Sequence, residues 1–300
     1  MAEYIPPCGL VIAIIFSTIL ILKLAGGIMA RSFIREKKIY CGQDYLEVDI
    51  YSISENQLEK RKGKRSKKEK VSIPAQKNLN DRNARRKFNQ VVETNFGRGG
   101  YSVTLTYNEY FLPPTVEEAE KEATNYIRRI KRRRKKEGLE DLKYIIVTSS
   151  REGKDGKPVR IHHHILMNDG LDRDVVEDLW SRSRGKDKGK RLGYANCDRI
   201  KPDINTGIAG LANYLKGNPT QKRRWTCSQN LERPTERNND HKYSRKKVIK
   251  LALFPESLSY WEKMYPGYEI RDKLYGFEAI YNDFTGWSIY LKLRRKKPRT

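Results

Sequence analysis

The stretch RIHHHILM, residues 160–167, decides how this chain is read. In a β-strand, side chains two residues apart share a face. His162 and His164 therefore project together, while His163 joins Ile161 and Ile165 on the opposite side and is expected in the core. The strand rise sets the outer Cβ atoms roughly 7 Å apart, close enough for two imidazoles to converge on one metal ion or one anionic group. Three histidines satisfied within a sheet would leave the same pattern, so the spacing alone does not separate a ligand pair from a structural cluster.

Outward from this strand the chain alternates strand and helix signatures. KYIIVTS (143–149) is a buried strand by its apolar run, and GKDGKP (153–158) is the turn between it and the histidines. SVTLTY (102–107) alternates Val103, Leu105 and Tyr107 against Ser102, Thr104 and Thr106, the period of a half-buried strand. Residues 81–96 read as a helix with Phe88, Val91 and Val92 on one side. Pro113-Pro114 breaks the chain, and Thr115 with Glu118 forms a capping box that opens a long helix, stopped by Gly138. Helices are also predicted over 171–180 and 206–216, a basic glycine-bearing loop over 181–191, and an alternating strand over 287–293.

Composition narrows the function. The 300 residues carry 62 Lys and Arg against 37 Asp and Glu, a net charge of +25. That excess disfavours an ordinary neutral or acidic metabolic enzyme and favours a polyanionic partner. The 18 Tyr and 4 Trp exclude a disordered basic tail. Cys8, Cys41, Cys197 and Cys227 form no CxxC pair, so neither a zinc module nor a disulfide framework is suggested, and a reducing compartment is the plain reading. No Walker loop, GxSxG or HExxH offers competing chemistry.

The termini read differently from the middle. Residues 10–22 are apolar apart from Ser17 and Thr18, and 10–29 reach the ~20 residues that span a bilayer. Positive charge follows at Arg31, Arg35, Lys37 and Lys38, which would leave residues 31–300 cytoplasmic, with a membrane anchor at 10–29. Met29 as the true start is the other reading. Four segments result: a hydrophobic segment (1–30), a basic and largely irregular arm (31–78), a central domain (79–235), and an aromatic-rich extension with a basic tail (236–300). Two cationic runs stand out as candidates for nucleic-acid contact. EKRKGKRSKKEK (59–70) contains Lys60, Arg61, Lys64 and Arg65, and RRIKRRRKK (128–136) contains Arg132, Arg133 and Arg134. Cations suit a helix C-terminus, but eight in nine exceed what the helix dipole needs.

One tyrosine has a suggestive position. On the 206–216 helix, Ile208, Leu211, Ala212 and Leu215 form one stripe. Tyr214 lies about 110° from the stripe centre, at its border, where an ordinary amphipathic tyrosine would also sit.

Taken in order, NLNDRNARR (78–86), YSVTLTY (101–107), LKYIIVT (142–148), PVRIHHHILMN (158–168), LANYLKGNP (211–219) and WTCSQNLERP (225–234) resemble the His-hydrophobic-His (HUH) endonucleases, in particular the rolling-circle replication initiators of plasmids, phages and integrative elements. The resemblance implies an α+β fold whose antiparallel sheet carries the 102–107 and 160–167 strands side by side, with flanking helices. It implies His162 and His164 as ligands of Mg²⁺ or Mn²⁺ and Tyr214 as the nucleophile, giving a 5′-phosphotyrosine and a free 3′-OH. The partner would be single-stranded origin DNA. No helicase motif is present, so a host helicase would separate the strands. Two departures stand out. Where the family often has Glu after a Val-Thr pair, Val147-Thr148 is followed by Ser149-Ser150, and Glu152 is the nearest carboxylate for a third ligand. Where the family commonly has Lys three residues after the tyrosine, this chain has Gly217, with Lys216 one earlier. A relaxase or transposase of the same chemistry, a degenerate or non-catalytic nucleic-acid binder, and a protein whose basic face meets anionic lipid are the competing readings.

Overall fold

The computed structural model describes residues 32–60, 74–149, 160–214, 225–253 and 258–296. Within them lie two antiparallel sheets with flanking helices, the α+β class expected.

The central sheet is formed by β3 (Tyr101–Leu105), β4 (Tyr144–Ser149), β5 (His162–Met167), β6 (Ala195–Arg199) and β7 (Thr226–Cys227), in the order β6-β3-β5-β4-β7. The histidine strand β5 is the middle one. Thr104 lies opposite His164 on its β3 side, and Ser149 opposite His162 on its β4 side. The 102–107 and 160–167 strands are thus neighbours, as expected.

Each face of this sheet is covered by helices. Helix α3 (Val116–Lys136) starts as its capping box requires, with the Thr115 hydroxyl accepting from the Glu118 amide. Its buried Ala119, Ala123, Tyr126, Ile127 and Ile130 pack with Val103, Leu105, Ile165, Met167 and Trp180. Helix α4 (Arg173–Asp178) adds Val176 to that side. The other side is covered by α2 (Pro74–Phe96) and α5 (Ala209–Tyr214), where Phe88, Val91, Val92, Phe96, Ile208 and Ala212 bury Ile145, Val147 and Leu166.

The second sheet corrects the expected domain boundaries. Residues 32–54 are not an irregular arm but a hairpin, β1 (Ser32–Cys41) and β2 (Tyr45–Ser54), followed by α1 (Glu55–Lys60). This hairpin pairs with strands from the C-terminal extension, β8 (Thr235–Asn239), β9 (Tyr268–Glu269), β10 (Phe277–Asn282) and β11 (Gly286–Arg295), in the order β10-β11-β2-β1-β8 with β9 on β11. The two ends of the chain build one layer. Helices α6 (Arg245–Leu253) and α7 (Leu258–Met264) cover its outer face, around Trp261, Tyr265, Val48, Ile50 and Leu291. The hairpin is hidden in the sequence because its charged residues are not solvated. Glu36 is only 1% exposed, accepting from Lys242 Nζ at 2.6 Å and Tyr265 Oη at 2.7 Å, and Arg35 forks onto Asp240 with two 2.7 Å bonds.

Candidate nucleic-acid cleavage site

The two outer histidines converge. Their ring centroids are 5.0 Å apart and the rings nearly perpendicular. His162 is half-buried and its Nδ1 lies 2.8 Å from the Arg160 carbonyl oxygen. A carbonyl only accepts, so Nδ1 carries the proton and Nε2 keeps its lone pair. His164 is buried, with Nδ1 3.3 Å from the Thr104 hydroxyl on the adjacent strand. A hydroxyl is able to accept from Nδ1–H, and that tautomer leaves the second Nε2 as a donor atom as well. Partners of this kind orient metal-ligating imidazoles. The donor set therefore fits two nitrogen ligands of a divalent cation. Among the described residues, no group of three or more His, Cys, Asp and Glu side chains could hold a metal. Glu152, the expected third ligand, lies outside the described residues.

His163 behaves as the strand alternation predicts. It is fully buried, with Nδ1 3.0 Å from the Thr148 hydroxyl and Nε2 2.8 Å from the Tyr107 hydroxyl, and it packs edge-on against Tyr107 and Trp180. Burial first, then the neighbouring His162 and His164, lower its pKa to about 3. It is a neutral core residue.

The helix bearing Tyr214 packs on the histidine face. Along β5, Leu166 shares the side of His164 and His162 and is covered by α2 and α5, while the two histidines continue that side towards the strand start. Ile208 and Ala212 anchor α5 there, with Leu211 partly buried against the same cluster. Tyr214 is the last residue of α5. The helix was expected over 206–216, and both Leu215 and Lys216 lie outside the described residues.

The turn that launches α5 is gripped from the second sheet. Arg294 on β11 forks onto Glu93 of α2 at 2.8 and 2.6 Å, and its Nη2 also reaches the Thr206 carbonyl at 2.6 Å. Glu93 accepts from the Ile208 amide at 3.1 Å, and Arg271 reaches the Ile204 carbonyl at 3.0 Å. Gly207 has φ of +63°, and any Cβ there would fall 2.2 Å from the Arg294 guanidinium. The positive φ favours glycine, and a Cβ would push the Arg294 guanidinium out of its fork.

The basic residues divide. Arg61, Lys64 and Arg65 lie outside the described residues, and Lys60 closes α1. Arg132 is exposed on α3, and Arg133 is exposed and paired with Glu137 one turn on. Arg134 is a correction. It is 3% exposed, its Nε donates to the Glu140 carbonyl at 2.9 Å and its Nη1 to the Asp169 carbonyl at 2.7 Å, so it clamps the helix end rather than facing a ligand. Its position four residues after Ile130 and seven after Ile127 puts it on the buried side of the helix. More generally, α3 covers the sheet face opposite His162 and His164, so the 128–136 run does not line the histidine pair.

Several contributors were not singled out from sequence. Thr104 could have been, because the 102–107 alternation puts it on the polar side and only the strand pairing was needed to face it to His164. Tyr194 is 67% exposed just before β6 and continues the side of Asn196, which lies opposite Thr104. Glu93 and Arg294 carry no local signal, being 201 residues apart. Among the described residues the three thiols are disfavoured as thiolates. Burial raises the pKa of Cys41 and Cys227, and that of Cys197 to about 12.

Compared with protein-family models, with curated proteins and with solved structures, the chain matches none of them. Among the described residues no helix is long and apolar enough to cross a membrane. The apolar run at 10–29 lies outside them.

Proposed function

We propose that the chain is a metal-dependent nuclease that nicks and rejoins single-stranded DNA through a tyrosine, acting as an initiator of rolling-circle replication. The observation that carries this reading is the shared face: two imidazoles with centroids 5.0 Å apart, and the helix that ends in Tyr214 packed on the same side of the same sheet. His162 and His164 would hold Mg²⁺ or Mn²⁺, which would draw charge from a phosphate oxygen and make the phosphorus more electrophilic. The Tyr214 oxygen then attacks phosphorus, the bond to the 3′ oxygen breaks, the phenol proton passes to water or a neighbouring base, and the departing oxygen is protonated as a 3′-OH. The covalent 5′-phosphotyrosine conserves the bond for rejoining. Tyr194, exposed on the histidine side, is suited to stacking an unpaired base.

The test is incubation with single-stranded origin oligonucleotides and Mn²⁺, followed by denaturing gels. The native chain should form a covalent adduct, and Tyr214→Phe should fold, bind metal and bind DNA without forming one. His162→Ala and His164→Ala should abolish cleavage while keeping most DNA binding. Binding without any adduct in the native chain would instead identify a nucleic-acid-binding protein that uses its cationic surfaces alone.

A further inference from the structure

The face of the central sheet turned away from the histidines carries a cavity of about 640 Å³ between α3 and the 181–191 loop. Six cations and a single carboxylate line it. That carboxylate, Glu122, is already committed: Arg182 Nη1 donates to one oxygen at 2.9 Å, and Arg129 reaches the other at 3.3 and 3.4 Å. The groove is therefore built in two layers. Arg129, buried, and Arg182, itself exposed, neutralise the acid from inside and from the edge, while Arg128, Lys131, Arg132 and Arg184 form a cationic rim, exposed and without an acidic partner among the described residues. Arg128 and Asn125 share a 3.3 Å hydrogen bond within it.

The shape and chemistry select a ligand. On α3 the cations at 128, 131, 132 and 135 follow one ridge about 10 Å long by the helix rise, which spans roughly three phosphates of one strand at ~3.4 Å each along a duplex axis. Among the described residues no aromatic ring lines the groove itself, the two rings beneath its cations, Phe111 and Tyr144, being covered by Arg182 and Lys131, whereas proteins that hold single strands combine cations with stacking platforms. A concave, cationic, ring-free surface reads phosphates and not bases. The geometry points to a second nucleic-acid site, in which this groove holds the phosphate backbone of a double-stranded segment while the histidine face takes the single strand. A strand engaged at the histidines cannot also fill the groove without passing around the sheet and a helix layer ~10 Å thick. The inference rests on the proposed function in taking DNA as the polyanion and the single strand as the occupant of the histidine face.

The experiment replaces Arg128, Lys131, Arg132 and Arg184 together by Gln and measures equilibrium binding, in EDTA so that no cleavage occurs, to a duplex of arbitrary sequence, to a single strand of equal length, and to phosphatidylserine vesicles. Duplex affinity should fall, and the slope of log K against log salt should become shallower by about 0.9 for each cation that touched a phosphate. Single-strand affinity should change little, and Mn²⁺-dependent adduct formation on a short single strand should persist. Unchanged duplex affinity and slope would overturn the proposal. An equal loss for single strands would assign the groove to the cleaved strand, and a loss confined to vesicles would assign it to lipid; either outcome overturns it too. If the fourfold variant unfolds, the pairs Arg128→Gln/Arg132→Gln and Lys131→Gln/Arg184→Gln apply the same criteria. Loss of adduct from native protein with duplex binding intact would sink the nuclease reading and leave this one standing.

Discussion

Helix α2 lies between the two sheets and meets them in opposite ways. Towards the central sheet it presents Phe88, Val91, Val92 and Phe96, which bury against Ile145, Val147 and Leu166. Towards the hairpin sheet it presents Arg86, Gln90 and Glu93. Arg86 bonds Glu47 at 2.6 Å and Asp49 at 2.9 and 2.5 Å, Gln90 bonds Glu47 at 2.7 Å, and Glu93 takes Arg294. Apolar burial is non-directional and tolerates small shifts, whereas a buried ion pair is favourable only in its own geometry. The apolar side thus supplies cohesion, and the charged side fixes the register in which the second sheet, and with it Arg294, meets the turn ahead of α5. Burial raises the pKa of Asp49 despite its bonds to Arg86, a sign of how strongly that carboxylate depends on its partner.

The largest effect that would break this contrast is at Arg86. Arg86→Met leaves Glu47, 2% exposed, and Asp49 buried without their cation, and removing one member of a buried pair costs about 3–5 kcal/mol. On the apolar side, Val92→Ala should cost only about 2 kcal/mol from lost burial and a partly collapsed cavity. Urea unfolding of both variants decides the matter. An Arg86 cost no larger than that of Val92 would mean the charged side is solvated and does not set the register.

This contrast also explains what could be read in advance. The central sheet was legible because its strands are amphipathic or continuously apolar: the 102–107 alternation, the 143–149 run and the His162/His164 phase each point to one register, and Thr115 with Glu118 marked the α3 start within one residue. The hairpin sheet was not, because Arg35, Glu36, Glu47 and Asp49 count as solvent-facing in any hydrophobic pattern and become interior only when residues up to some 200 positions away supply the opposite charge. The candidate site divides along the same line. His162, His163 and His164 were placed by local alternation, whereas the Glu93–Arg294 grip on the 203–208 turn depends on the tertiary fold alone.

A middle-sized effect concerns the histidine that faces the core. His163 has a folded pKa of about 3 against ~6.5 in an unfolded chain. Between those values the unfolded state binds the extra proton, so stability is fully present above pH ~6.5 and is lost as the pH falls towards 3, by up to ~1.4 kcal/mol per unit. His163→Gln should flatten this dependence in acid unfolding curves while leaving Mn²⁺ binding in place. If His163→Gln abolished metal binding in a folded protein, the assignment of the two faces of β5 would be wrong.

A smaller change in stability than that at Arg86 best sharpens the link between the two sheets. Arg294 is 11% exposed and its fork spans Glu93 and the Thr206 carbonyl at once. Arg294→Lys keeps the charge opposite Glu93 but replaces a planar fork by a single ammonium, which is unable to reproduce both contacts in the same geometry. About one charge-assisted hydrogen bond is lost, roughly 1.5–3 kcal/mol at most, and less where the lysine retains Glu93. The consequence falls on the turn that launches α5 and so on the placement of Tyr214, where a displacement of ~1 Å is able to cost on the order of a hundredfold in rate. Under the proposed function, adduct formation with Arg294→Lys should therefore slow at saturating oligonucleotide while the apparent affinity for the single strand is unchanged, because Arg294 is nearly buried and committed to Glu93 and the Thr206 carbonyl rather than offered to a phosphate. A variant that lost affinity and rate together, or that merely unfolded at lower urea with full catalytic rate, would show that the second sheet stabilises the chain without positioning its tyrosine.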